Sequence, residues 1–130
     1  MSDPLITVQN AYAAIGEGDV AGLLNLIARD APWTFAGDRK MPYTTTVRGH
    51  GGIGEWFGMV ARHDDIQAFE PREFLVGPDH VTVLGFERTK DRTTGREFEC
   101  EWVHVWRVSG GLITRFFGML DSEAAAAARA

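Results

Sequence analysis

Residues 100–121 read CEWVHVWRVSGGLITRFFGMLD. By parity, Cys100, Trp102, His104, Trp106 and Val108 form one row, large apolar groups with a single imidazole at the centre. A period of two over this length marks a strand. The break at Ser109-Gly110-Gly111, followed by a second apolar run, marks a hairpin. The other row of the first strand begins Glu97, Glu99, Glu101 and continues Val103, Val105. In the second strand Ile113, Phe117 and Met119 share one parity, and Leu112, Phe116 and Leu120 the other. Two registers are open. If Ser-Gly-Gly is a three-residue turn, Val108 pairs with Leu112, and Phe116, Gly118 and Leu120 share the His104 face. If Gly110-Gly111 is a two-residue turn, Arg115, Phe117 and Met119 face inward instead.

Strand periodicity extends upstream to about residue 66, giving strands at roughly 66–76, 80–90, 96–108 and 112–121, with turns at GPDH, KDRTTG and SGG. Before residue 66 the period is helical. Ser2 or Asp3 caps a first helix with Pro4 at its opening position, and Leu5, Val8, Tyr12 and Ile15 form its stripe. Gly16 and Gly18 stop it, and Asp19 caps a second helix with Val20, Leu23, Leu24 and Ile27. Trp33–Phe35 reads as a short strand, and 36–46 as a loop. VRGHGG leads into a third helix with Ile53, Trp56, Phe57 and Val60 on one face. The expected fold is α+β: three N-terminal helices covering one face of a curved antiparallel sheet, in a single domain over 1–123. The alanine-rich tail, 124–130, is helix-prone and free to fray.

A sheet in a monomer needs one apolar face, and the last hairpin has two. The expected cover for the outer row of Val103, Val105, Phe117 and Met119 is a second copy, a homodimer through the outer sheet face.

Composition narrows the function. The chain has 130 residues, 45% hydrophobic and 24% charged, ordinary for one globular domain. Lys+Arg 13 against Asp+Glu 18 leaves −5, and no basic cluster exists to neutralise phosphates, which argues against nucleic acid. The N-terminus lacks a signal-peptide pattern and no stretch is apolar enough to span a membrane. A lone cysteine in an apolar row suits a reducing interior. A soluble, cytoplasmic protein is expected.

His104 is the leading candidate for chemistry, with two readings open. It is either a core histidine bonded to a backbone carbonyl, or a polar handle at the bottom of an aromatic pocket. Tyr12 projects from the apolar side of the first helix toward the same region or ends at its rim. Trp33, Phe35, Trp56, Phe57, Val60, Trp102, Trp106, Phe116, Gly118 and Leu120 are the candidate walls, or simply core. GHGGIG before the third helix reads as a tight turn; it lacks a P-loop lysine and the strand context of a dinucleotide site, so no cofactor is expected. RHDD at 62–65 reads as a solvated helix end. The histidines at 50, 63, 80 and 104 show no metal-ligand spacing, and no metal is expected.

The stretches YAAIGEGDVAGLLNLIARDAPWTF, RGHGGIGEWF and EFECEWVHVWRVSGGLITRFFGMLD resemble the nuclear transport factor 2-like superfamily, in its SnoaL-like polyketide cyclase and ketosteroid isomerase branch. The resemblance covers roughly residues 5–121. It implies a cone-shaped sheet with a pocket between sheet and helices, the three-residue reading of the turn, and a site residue at His104, where the isomerases carry an acid and the cyclases a histidine. The departures are equally specific. The isomerases' basic aspartate matches Phe35, their tyrosine matches Ala11 beside Tyr12, and the cyclases' aspartate matches Gly118, three residues before Asp121. The resemblance therefore implies a pocket for a small apolar molecule, a polycyclic or aromatic ketone. Its chemistry would be proton transfer of isomerase or cyclase type. The alternative is a non-catalytic binding or assembly domain that lacks the catalytic carboxylates.

Overall fold

The computed structural model describes residues 3–130; the expectation for Ser2 lies outside the described residues. Ten elements follow in order: α1 (Pro4–Gly16), α2 (Val20–Leu24), β1 (Pro32–Ala36), β2 (Thr45–Arg48), α3 (Gly49–His63), β3 (Asp64–Val76), β4 (His80–Asp91), β5 (Glu97–Ser109), β6 (Leu112–Leu120) and α4 (Ser122–Arg129). The six strands form one curved, unclosed sheet in the order β2-β1-β6-β5-β4-β3. The α+β cone is as expected, with α1 and α3 laid across the concave face.

Local chemistry explains the helix starts. Asp3 accepts a hydrogen bond from the Leu5 amide at 2.9 Å, and Asp19 one from the Gly22 amide at 2.8 Å. Each satisfies a donor that an open helix end leaves without a partner. Gly49 sits at φ +78, and its amide bonds the Ala31 carbonyl at 3.0 Å. His50 Nε2 pairs with the Ile27 carbonyl at 2.8 Å. GHGG is thus a tight strand-to-helix turn with its polar groups tied internally.

Three expectations are corrected. The segment 36–46 is not wholly loop: β2 begins at Thr45 and pairs antiparallel with β1, Thr34 opposite Thr46. It is a short, largely exposed edge strand, so no apolar alternation announced it. The sheet is not a pure antiparallel meander, because β1 joins β6 in parallel, with Trp33 opposite Phe116 and Phe35 opposite Gly118. The hairpin combines both registers. Gly110 and Gly111 both have positive φ, 59 and 80, the conformation of a two-residue type I′ turn, and Ser109 pairs with Leu112. A bulge between Val108 and Arg107 then absorbs one extra residue, so His104 lies opposite Gly118. Phe116, Gly118 and Leu120 therefore face inward, as the resemblance implied.

Two ends are also corrected. Asp64, in the stretch read as a solvated helix end, is buried, and α4 docks instead of fraying, with Ala125, Ala126 and Ala128 buried. The two findings are one: Arg129 forms ion pairs with Asp64 at 2.7 Å and Asp91 at 2.8 Å.

On the outer sheet face Val103, Val105 and Phe117 are half-buried, and Met119 is 41% exposed. No described helix is long and apolar enough to cross a membrane.

Candidate functional site

Glu87 of β4 and His104 and Trp106 of β5, with β3 beside them, form the sheet side of a cavity of about 730 Å³ between sheet and helices. Tyr12 from α1, Trp33 and Phe35 from β1, Trp56, Phe57 and Val60 from α3, His104 and Trp106 from β5 and Phe116 from β6 all line it. Trp102, Gly118 and Leu120 lie on the same face but do not line it; they build the layer behind. Trp102 stacks on His104 at 4.0 Å and 19°, and Phe69 stacks on Trp102 at 4.8 Å. Gly85 makes this possible, since a Cβ there would overlap the Trp102 ring. Gly118 likewise leaves room for Phe116 and for His104, whose Cδ2 would lie 3.1 Å from an added Cβ.

His104 and Tyr12 form the polar point of this aromatic wall. Trp106 Nε1 donates to Tyr12 Oη at 2.9 Å, and Tyr12 Oη lies 2.7 Å from His104 Nδ1. With the tryptophan donating to it, the phenol directs its own proton to Nδ1, and the imidazole proton is assigned to Nε2. Burial holds the His104 pKa down at about 3, so the ring is neutral. Burial also raises the Tyr12 phenol, against the Trp106 hydrogen bond. Nε2 makes no hydrogen bond to any described residue, and His104 lines the cavity. A neutral imidazole of this kind is a poor base and a good donor: it offers an N–H to an oxygen inside an apolar cavity. No carboxylate among the described residues is bonded to it.

A second polar group of the wall was missed in the sequence. Tyr43, Asp64 and Glu87 line the same cavity. Tyr43 Oη donates to Asp64 Oδ2 at 2.5 Å, and Arg129 donates to Tyr43 Oη at 3.1 Å from behind. Parity could have found Glu87, because the inner row of β4 is Val81, Val83, Gly85, Glu87, Thr89 and Asp91, apolar at one end and polar at the other. Tyr43 lies in the aperiodic segment and carried no such signal. Cys100, opposite Glu87, is a free thiol that burial pushes up to about 12, which leaves it inert as a nucleophile.

A curved sheet wrapped on helices around an aromatic pocket defines the nuclear transport factor 2-like class of α+β domains. Within it, the model of the SnoaL-like domain matches residues 8–116, and the chain belongs to that family. A nuclear transport factor 2-like protein from Burkholderia xenovorans LB400 is 31% identical, with 100% of this chain and 99% of that one covered at a TM-score of 0.89. One from Burkholderia thailandensis E264 is 30% identical over 100% and 99%, at 0.91. TerC, co-crystallised with polyporic acid, is 26% identical over 98% of each chain, at 0.85. No curated protein matches the sequence.

Proposed function

We propose that this protein binds a small, largely apolar aromatic ketone or phenol, with the ligand oxygen on His104 Nε2–H and the rings against Trp33, Phe57 and Phe116. The observation that carries this is a buried neutral imidazole, oriented by Tyr12 and Trp106, whose other nitrogen is unpaired in an aromatic cavity. The cavity is too large for a filled structural core, and the co-crystal of TerC with polyporic acid supports a small-molecule role. A second reading is catalysed proton transfer beside the carbonyl, of isomerase or cyclase type. It is favoured by the unpaired His104 Nε2–H facing the cavity, a donor that would stabilise charge developing on the oxygen.

The test is a titration of tryptophan fluorescence with polyporic acid, 2-naphthol and 1-tetralone. Quenching is expected, because Trp33 and Trp106 line the site. His104→Phe keeps the bulk and removes the donor, weakening the bound ligand by about 1–3 kcal/mol. No quenching by any of the three compounds, or equal affinity in the variant, overturns the assignment.

The outer row supports a further element of the reading: a homodimer through Val103, Val105, Phe117 and Met119, in a cytoplasmic, reducing setting that suits the free Cys100. Sedimentation at micromolar concentration is expected to give twice 14.4 kDa, and a monomer removes the pairing.

A further inference from the structure

A carboxyl oxygen of the cavity wall, far from His104, is also unpaired. Glu87 is only 6% exposed, yet it lines the cavity. Its Oε2 accepts from Thr89 Oγ1 at 2.5 Å, while Oε1 makes no hydrogen bond to any described residue. The residue is buried while this oxygen borders the open space of the cavity, where a ligand that displaces water would leave it in need of a partner. Its neighbours on the same wall are already committed, Asp64 to Tyr43 and Arg129, and Asp91 to Arg129.

We infer that Glu87 Oε1 anchors a second polar group of the same ligand, a hydroxyl, so that the molecule taken up is a two-ended aromatic with a carbonyl on His104 and a hydroxyl on Glu87. The inference rests on the binding reading above. The spacing comes from the strand register. Glu87 pairs with Cys100, and His104 stands four residues further along β5, which separates the anchors by about 13 Å along the strand. Two linked or fused rings with a polar group at each end suit that span, and a single ring does not. The lining between them is apolar: Phe69, paired with Glu87 across β3 and β4, stacks on Trp102 and has its ring 6.1 Å from that of His104.

The choice of a hydroxyl over an ammonium follows from charge. Burial raises the Glu87 carboxyl above its ordinary pKa; the Thr89 hydrogen bond opposes this and the Asp64 charge adds to it, with Arg129 opposing. A hydroxyl suits the carboxyl in either state, donating to Oε1 when it is ionised and accepting from it when it is protonated. An ammonium requires the ionised state that the site disfavours.

The experiment compares 4-acetyl-4′-hydroxybiphenyl with 4-acetylbiphenyl by calorimetric titration. In the wild-type protein the added hydroxyl is expected to tighten binding on the order of tenfold. In Glu87→Leu that gain is lost while both compounds still bind, and in Glu87→Gln, which keeps the shape, it is smaller than in the wild type. His104→Phe weakens both compounds and leaves the hydroxyl's gain intact. Each comparison is a ratio within one folded protein, checked by its melting curve. Binding of both ketones with no gain from the hydroxyl overturns the Glu87 assignment and leaves the His104 reading standing. Absence of binding by either compound overturns both. A greater gain from a 4′-aminomethyl group than from the hydroxyl refutes the hydroxyl in favour of a cation.

Discussion

The neutral state of His104 has a direct consequence for stability against pH. In the unfolded chain its imidazole titrates near 6.5, while in the fold burial holds it at about 3. Between these values the unfolded state binds the proton and the folded state does not, so stability falls as pH is lowered from 6.5 toward 3. By pH 4.5 the unfolded chain has gained two pH units of protonation free energy, about 2.7 kcal/mol at 1.36 kcal/mol per unit. For a domain of this size that corresponds to a fall in Tm of roughly 10 °C. Other groups titrate over the same range, so the measurement is a difference. Melting curves for wild type and His104→Phe are recorded from pH 7.5 to 4.5, and the variant should lose less stability on acidification by that amount. Parallel profiles would mean that the imidazole is solvated or charged in the fold. The Tyr12–His104 arrangement drawn above would then be wrong.

Two further outcomes follow from the polar wall. Arg129→Met removes the guanidinium from two buried carboxylates, Asp64 and Asp91, and should cost about 3–5 kcal/mol, measured by urea denaturation. A loss below about 1 kcal/mol would show that α4 is undocked in solution, since exposed pairs are worth no more than that. Glu87→Gln tests the opposite sign of linkage from His104. The folded state holds the Glu87 proton more tightly than the unfolded chain, so its contribution is intact below the ordinary carboxylate range and declines as pH rises through the elevated folded value. The variant should therefore gain stability relative to wild type as pH rises from 5 to 8; a constant difference refutes the burial of an uncompensated carboxyl.

Much of the fold was legible because it is written in local periods. The parity of residues 100–108 marked both the strand and its buried face, and His104 was found because a titratable group in an apolar row breaks a pattern that can be counted. Asp3, Pro4 and Asp19 marked helix starts for the same local reason, since a capping side chain serves amides two or three residues away. The hairpin shows where local reasoning stops. Gly110-Gly111 has the chemistry of a two-residue turn, and it forms one, but the bulge that restores His104 to the Gly118 face depends on packing of both strands against the helices. β2 had no apolar stripe to betray it, because this exposed edge strand is held by pairing with β1 and by a single apolar residue, Val47, packed against the core.

The sequence by itself determined the class of fold, the candidate imidazole and the aromatic character of its surroundings, all consequences of which side of an element is apolar. The tertiary structure alone decided what stands opposite each buried polar group. Arg129 looked like the end of a loose alanine tail and Asp64 like a solvated helix end, and neither has a local partner. Their burial is tolerable only because folding brings them to 2.7 Å with Asp91 beside them. The same holds for Tyr12: its hydroxyl meets His104 and Trp106 across more than ninety residues of chain. A periodic pattern reports whether a residue is removed from water. The cost of removing a charge or a hydroxyl depends on the partner it meets there, and that partner is supplied by the topology of the sheet.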